Sequence, residues 1–225
     1  MSRRDAAERA LSAVLSIATV VGVGVLLERR INDPTPRSSG TRIEQIGNWE
    51  LVSKGSVATV TENKSAVDVV TFTDFECPMC KVADSVITAL IEHRGLTVNR
   101  RIVSFPLPGH RSAMGAALAF ECSSSQGRGS QMYKSLYEST HLFGSAPWQQ
   151  LARAANVLDS AKFAQCMGLE SSKERILAGL ALGKRLKISG TPAFVINGTL
   201  YDAAPLDVVE KALVNAVGGS HTSMF

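Results

Sequence analysis

Two cysteines separated by two residues are the part of this sequence with the clearest capacity for chemistry. Cys77 and Cys80 enclose Pro78 and Met79. Residues three apart in a helix have Cα atoms about 5 Å apart, which is within the range of a disulfide. One sulfur of such a pair can attack as a thiolate, and the other can resolve the mixed disulfide that forms. The spacing therefore predicts a dithiol–disulfide redox site.

The residues around this pair predict that it opens a helix. The preceding run, 67–75, is rich in β-branched and aromatic residues, as a buried strand is. Apolar residues then recur at helical spacing as far as about His93, and Pro78 suits the first helical turn, whose N–H groups have no partner in the helix. Because a helix N-terminus favours negative charge, we expect Cys77 to ionise more readily than a free thiol.

The side chains beside the first cysteine are expected to tune its reactivity. Glu76 opposes a thiolate at Cys77, whereas Lys81, four residues further on, supports one. Pro78 and Met79 lie between the two sulfurs, and Met79 contributes no positive charge. The charges next to Cys77 in the sequence therefore have opposite effects on the stability of its thiolate.

A C-x-x-C pair can also be half of a zinc site or an inert structural disulfide. The chain has no second C-x-x-C, and twelve residues separate Cys80 from His93. The next histidine is His110, whereas a zinc finger needs one three to five residues after the first. We therefore predict neither a metal site nor a cofactor. His110 is interpreted as a surface residue at a helix start rather than as an acid–base group.

Composition indicates one folded domain with an N-terminal appendage. The 225 residues are 45% hydrophobic, which is enough for a full core. The formal charge of +4 is partly an N-terminal effect, and no dense basic run or basic–aromatic interleaving follows. No nucleic-acid partner is therefore predicted.

The N-terminal appendage is predicted to be a membrane anchor. Residues 10–27 are uncharged and just long enough to span a bilayer, and the basic leader, 1–9, favours a cytoplasmic N-terminus. We predict one uncleaved transmembrane helix in the cell membrane, with the catalytic domain on the extracytoplasmic side. The alternatives are a twin-arginine signal and a signal peptide cleaved near Gly22 and Gly24. Residues 28–47, which contain prolines and serines, are interpreted as a tether.

Export would place all four cysteines in an oxidising compartment, where three pairings are possible. Cys77 and Cys80 are the natural local pair, which leaves Cys122 and Cys166 for a structural disulfide. In the chain-entropy model, closing that loop stabilises the fold by about 4 kcal/mol. Two buried free thiols remain the alternative.

The predicted order of elements is strand, C-x-x-C helix, strand, a helical stretch over about 110–187, a β-hairpin and a last helix. The second strand covers 96–105. Asn197-Gly198 separates two β-type runs, and this dipeptide is a strong hairpin signal because both residues accept positive φ. Two short strands are also expected earlier in the chain, at 49–52 and 58–60.

This order resembles the DsbA-like branch of the thioredoxin superfamily. Residues 72–80, F-T-D-F-E-C-P-M-C, resemble its active-site segment, and residues 190–198, G-T-P-A-F-V-I-N-G, resemble its cis-proline loop with the following hairpin. The resemblance covers about residues 48–218 and implies an α/β, thioredoxin-like fold with an inserted helical domain. Met79 departs from the best-known oxidant of the family, which has histidine there.

The resemblance also implies roles for individual residues. Cys77 would be the exposed nucleophile and Cys80 the buried resolving cysteine. Pro192 would be cis and pack against the disulfide, and the Thr191 backbone would pair with an extended substrate; an ordinary trans turn is the alternative.

The implied protein is a membrane-anchored thiol–disulfide oxidoreductase, acting as an oxidase on exported proteins that carry thiols. A membrane or extracytoplasmic redox partner would reset its active site. A reductase or isomerase remains open, although 31–66 is short for the dimerisation domain that isomerases generally have. A non-catalytic, chaperone-like peptide-binding module with a structural disulfide remains open as well.

Overall fold

The described part of the chain is built on one mixed β-sheet. A computed structural model describes residues 40–50, 58–61, 67–144 and 148–220. In chain order the strands are β1 (Arg42–Gln45), β2 (Ala58–Thr61), β3 (Val67–Thr73), β4 (Val98–Ser104), β5 (Ala193–Ile196) and β6 (Thr199–Asp202). Their order across the sheet is β1-β6-β5-β3-β4-β2, with β3 and β4 parallel and the other pairs antiparallel.

The helices fall into a core set and an inserted set. The core set is α1 (Pro78–Arg94), which joins β3 to β4, and the C-terminal helix α7 (Leu206–Ser220). The inserted helices lie between β4 and β5: α2 (Ala113–Ser124), α3 (Gly129–Glu138), α4 (Trp148–Ala154), α5 (Ser160–Gly168) and α6 (Glu174–Arg185). Thioredoxin-like α/β architecture with a helical insertion, predicted from the sequence, is confirmed.

The central strand β3 is buried along nearly its whole length on both faces, which explains why it consists mainly of β-branched and aromatic residues. Successive side chains of a strand point to opposite faces. Val69 packs in a cluster with Ile87 of α1 and Leu213 of α7, whereas Val70 packs in another cluster with Leu182 of α6. The sheet is therefore held between two helical layers.

The hairpin between β5 and β6 brings a loop to the end of β3. Asn197 and Gly198 both have positive φ, 44° and 80°, and the strands on either side pair in register, as predicted. β5 also pairs with β3 so that Ala193 lies opposite Phe72. Residues just before β5 consequently lie near the segment that leads from β3 into α1.

A cluster of aromatic rings connects the insertion to this same segment. The ring of Phe75 has its centroid 5.4 Å from Phe120, 5.7 Å from Tyr133 and 5.3 Å from Tyr137. Each such pair contributes about 0.5–1.5 kcal/mol beyond the area it buries. The insertion is thereby packed against the turn that carries the cysteines.

A disulfide joins Cys122 of α2 to Cys166 of α5, 44 residues apart in the sequence. Cys122 has no solvent exposure, and Cys166 is half-buried. The bridge ties two inserted helices together, and the insertion is therefore cross-linked within itself.

Two sequence-based assignments near the start of the domain are wrong. Residues 42–45, which the sequence places in the tether, form β1, an edge strand that pairs with β6. An Arg42–Asp202 ion pair of 3.3 Å also joins the two strands. Its residues are mostly exposed, so the sequence carries no alternation of apolar residues to mark it. Trp49 and Glu50, expected in a strand, are helical.

The predicted membrane span, 10–27, lies outside the described residues, as does the basic leader. Among the helices that the structure describes, none combines the length and the apolar character needed to cross a bilayer.

Candidate active site

The two cysteines lie at the N-terminus of α1. Cys77 is the N-cap, with extended backbone angles (φ −75°, ψ 119°), and Pro78 follows in the first turn. The Cys77 carbonyl accepts hydrogen bonds from the Cys80 N–H at 3.1 Å and the Lys81 N–H at 3.3 Å. Both cysteines are thiols, so the structure represents the reduced state.

The two thiols differ in access to solvent, although both are mostly covered. Cys77 is 7% exposed and Cys80 is 2% exposed. The sequence led us to expect an exposed Cys77; it is instead only the less buried of the two. An attacking group therefore reaches the sulfur of Cys77 more readily than that of Cys80.

The loop before β5 meets the first cysteine. The Thr191–Pro192 peptide bond is cis, and the Cys77 thiol donates to the Thr191 carbonyl oxygen at 3.5 Å. The Thr191 hydroxyl is buried and makes no hydrogen bond to any described residue of the dithiol form. The pairing of β5 with β3 brings these groups together although 114 residues separate Cys77 from Thr191.

The two sulfurs have opposite electrostatic tendencies. A hydrogen bond from the Cys80 thiol is the largest influence on Cys77 and lowers the pKa of Cys77 to about 5, against the opposing effect of burial. The contact with Thr191 and the N–H groups of Cys80 and Met79 lower it further. The same hydrogen bond, together with burial, raises the pKa of Cys80 above its usual range. Cys77 is thus the sulfur that ionises first, and Cys80 is the one that keeps its proton.

The predicted tuning residues are placed differently from what their charges suggested. The Glu76 carboxylate accepts a hydrogen bond from the Ser112 N–H at 2.7 Å, so it also holds the start of α2. Met79 and Lys81 are exposed, and Met79 presents 53% of its surface to solvent. Glu76 is therefore structural as well as electrostatic, while Met79 forms part of the outer surface beside the thiols.

The buried carboxylate of Asp74 organises the turn before Cys77. Its side chain has no exposure and accepts from the N–H groups of Glu76 at 2.8 Å and Leu107 at 2.7 Å. The Asp74 carbonyl accepts from the Cys77 N–H at 3.1 Å. Asp74 therefore connects the active-site turn to the loop after β4. No periodicity or spacing in the sequence marks Asp74 for this role; its only signal is its place in the 72–80 segment.

His110 also belongs to this network, which corrects its interpretation as a surface residue at a helix start. Its Nδ1–H donates to Asp74 Oδ2 at 2.7 Å, and its side chain is 28% exposed. The hydrogen bond to Asp74 raises the pKa of His110, and the charges of Asp74, Glu76 and Cys77 raise it further. The imidazole is therefore more readily protonated than a free histidine.

A second polar network lies beneath Cys80. Thr73 and Tyr137 share a buried hydrogen bond of 2.5 Å between their hydroxyls, and the Thr73 hydroxyl moderates the raised pKa of Cys80. Nearby, Asp84 accepts from Arg100 at 2.5 Å and from the Tyr133 hydroxyl at 2.9 Å. These bonds connect the site to the insertion.

The arrangement can carry out thiol–disulfide exchange. It combines an ionisable sulfur at a helix N-terminus, a second thiol hydrogen-bonded to that sulfur, and a neighbouring loop with a backbone acceptor. Within the described ranges, no three His, Cys, Asp or Glu side chains are grouped to hold a metal ion.

The fold and the paired thiols together define a thiol–disulfide oxidoreductase of DsbA-like architecture. A family model described as thioredoxin matches residues 55–215, and the chain belongs to this family.

Comparison with individual proteins gives similar results. The probable disulfide bond formation protein D of Bacillus anthracis is 25% identical over 216 residues, covering 91% of this chain and 94% of that protein. The catalytic domain of Proteus mirabilis ScsC superimposes with a TM-score of 0.59 at 22% identity, covering 73% of this chain and 91% of that one. Oxidised BdbD of Bacillus subtilis superimposes with a TM-score of 0.57 at 20% identity, covering 78% and 97%. The two structural likenesses establish the fold.

Proposed function

We propose that the protein is an oxidase that donates the Cys77–Cys80 disulfide to exported proteins carrying thiols. The observation that carries the proposal is the position of Cys77 at the N-cap of α1, with its sulfur 3.5 Å from the Thr191 carbonyl oxygen and the Cys80 thiol beside it. In this position the pKa of Cys77 is lowered to about 5, which favours the thiolate. Stabilising the thiolate stabilises the reduced site, and a stable reduced form makes the corresponding disulfide a strong oxidant. The name of the Bacillus anthracis relative, a disulfide bond formation protein, is consistent with this direction.

In the proposed reaction, a substrate thiolate attacks Cys77, forms a mixed disulfide and displaces Cys80 as a thiolate, which takes up a proton. A second substrate thiolate then attacks the substrate sulfur, and Cys77 leaves with the electron pair. The substrate gains a disulfide while the site becomes a dithiol. A membrane or extracytoplasmic redox partner accepts the two electrons and restores the site.

Thr191 and Pro192 are proposed to form the substrate-binding edge of this site. The Thr191 carbonyl lies 3.5 Å from the Cys77 sulfur, so an extended peptide carrying a thiol could pair with this backbone as its sulfur reaches Cys77.

Equilibration with glutathione buffers should place the Cys77–Cys80 couple between about −200 and −120 mV, the range of oxidants. Cys122–Cys166 should stay closed in the same titration because Cys122 is fully buried, and peptide mapping with differential alkylation reads both pairs at once. A redox potential of about −270 mV would instead indicate a reductase. A value below about −300 mV would indicate a structural bond in a non-catalytic, chaperone-like module.

We also propose that residues 10–27 anchor the protein in the membrane with the catalytic domain outside. The support is an uncharged stretch preceded by a basic leader. Intact mass of protein extracted from membranes should include the N-terminus, and protease added to intact cells should remove the catalytic domain. A mature chain that begins after Gly24 in the soluble fraction would contradict the anchor.

A further inference from the structure

His110 lies in the loop between β4 and α2 and is joined to the turn that carries the reactive sulfur. Asp74 links the two: its carboxylate accepts from His110 Nδ1–H at 2.7 Å, and its carbonyl accepts from the Cys77 N–H at 3.1 Å. The same carboxylate accepts from the Leu107 N–H at 2.7 Å, so the His110 loop is held against the turn at two points. The position of the imidazole relative to Cys77 is therefore determined by hydrogen bonds to one buried carboxylate.

The charged groups around the imidazole favour its protonated form. Asp74, Glu76 and Cys77 face it from the turn before α1, and each of them raises the pKa of His110. Arg111, next to it in its own loop, is exposed. His110 is thus surrounded mainly by groups that carry negative charge, one of which is the reactive sulfur.

We propose that His110, held by Asp74, acts as a positioning residue that stabilises the Cys77 thiolate electrostatically. It would supply the positive charge that Met79, exposed and uncharged, does not provide within the C-x-x-C motif. The proposal rests on exchange chemistry at Cys77, not on the oxidase direction.

The coupling between ionisation of Cys77 and protonation of His110 must be reciprocal. If a Cys77 thiolate makes protonation of His110 easier, protonated His110 makes ionisation of Cys77 easier by the same free energy. The effect exists where both groups are charged, which is above the pKa of Cys77, about 5, and below the raised pKa of His110. At higher pH the imidazole is neutral and its contribution disappears.

The stabilisation acts in the second step of exchange. When a substrate thiolate attacks the substrate sulfur of the mixed disulfide, the bond to Cys77 breaks and Cys77 leaves with the electron pair. A nearby imidazolium lowers the energy of that leaving thiolate. Protonated His110 should therefore speed release of the oxidised substrate and make the disulfide more oxidising.

The test is the pair of variants His110→Asn and His141→Asn. Asparagine at 110 retains an amide N–H near the position of Nδ1, so it can still donate to Asp74, but it cannot carry a charge. His141 is exposed in the short helical segment Thr140–Leu142 and serves as the control. Thiolate absorbance at 240 nm and alkylation rates between pH 4 and 10, together with glutathione equilibration, report on Cys77.

At pH 6 we expect His110→Asn to make the disulfide about 3- to 10-fold less oxidising against glutathione, the size of one partly solvated charge interaction. The difference from the wild-type protein should shrink towards pH 9, and His141→Asn should match the wild type throughout. An equal loss at every pH would show that His110 only holds the loop, and no loss at all would exclude any role in reactivity.

A measurement on the unmodified protein keeps the proposal testable if the variant does not fold. The NMR titration of His110 should give a lower pKa when Cys77–Cys80 is oxidised than when it is reduced, because the disulfide has no thiolate charge. An unchanged pKa would refute the coupling. If the redox potential is low but the pKa of His110 still falls on oxidation, the oxidase proposal is rejected and the proposed role of His110 is supported.

Discussion

Cys77→Ser protein should show no thiol–disulfide exchange above the uncatalysed rate. Cys77 is the sulfur whose pKa is lowered, to about 5, and it lies at the helix N-terminus with the less buried side chain of the pair. A serine hydroxyl neither ionises near neutral pH nor forms a bond to a substrate sulfur, so the first step is lost. Wild-type and variant proteins are treated identically with oxidant and freed of it, and oxidation of a dithiol peptide by each is then followed by mass spectrometry.

Cys80→Ser protein should behave differently and accumulate mixed disulfides with substrates. Its Cys77 can still attack a disulfide, serine still offers a hydroxyl donor to the thiolate, and no second sulfur resolves the product. The matched control replaces Cys122 and Cys166 by serine, which should cost about 2–5 kcal/mol of unfolding free energy but leave exchange in place. Mixed disulfides on the Cys77→Ser protein, and none on the Cys80→Ser protein, would reverse the assignment of the two sulfurs.

Asp74→Ala should lower the free energy of unfolding by roughly 2–4 kcal/mol, because two part-buried backbone donors lose their acceptor. These are the N–H groups of Glu76 and Leu107, at 2.8 and 2.7 Å from the carboxylate. The His110 imidazole loses its partner as well. Urea unfolding of the reduced protein measures the change. Alkylation rates should also show a smaller difference in reactivity between Cys77 and Cys80, because the turn before Cys77 is loosened.

Glu170→Ala is the control for that experiment. Glu170 also makes a short ion pair, 2.6 Å to Lys173, but its side chain is 86% exposed, and such pairs contribute about 0–1 kcal/mol. Equal destabilisation by the two substitutions would contradict the role given to Asp74, since it would mean that burial of the carboxylate has no consequence.

The elements that could be predicted from the sequence are those fixed by residues close together in the chain. The helix that begins after Cys77, the strand before it and the Asn197-Gly198 hairpin all follow from spacing and backbone preference within about ten residues, and the structure contains each of them. Edge strand β1 was missed because pairing with β6 makes it a strand, and its own exposed residues have no apolar alternation.

What the sequence by itself determined is therefore the redox motif, its place at a strand–helix junction and the order of elements around it, because periodicity and helix-terminal chemistry are local. The tertiary structure alone decided which polar groups surround the sulfurs. Asp74 reaches His110 across 36 residues, and Thr191 reaches Cys77 across 114. Such contacts leave no periodic signal in the sequence, because single hydrogen bonds between loops depend on how the strands pair. The pairing of β5 with β3 is what brings Thr191 to the thiols.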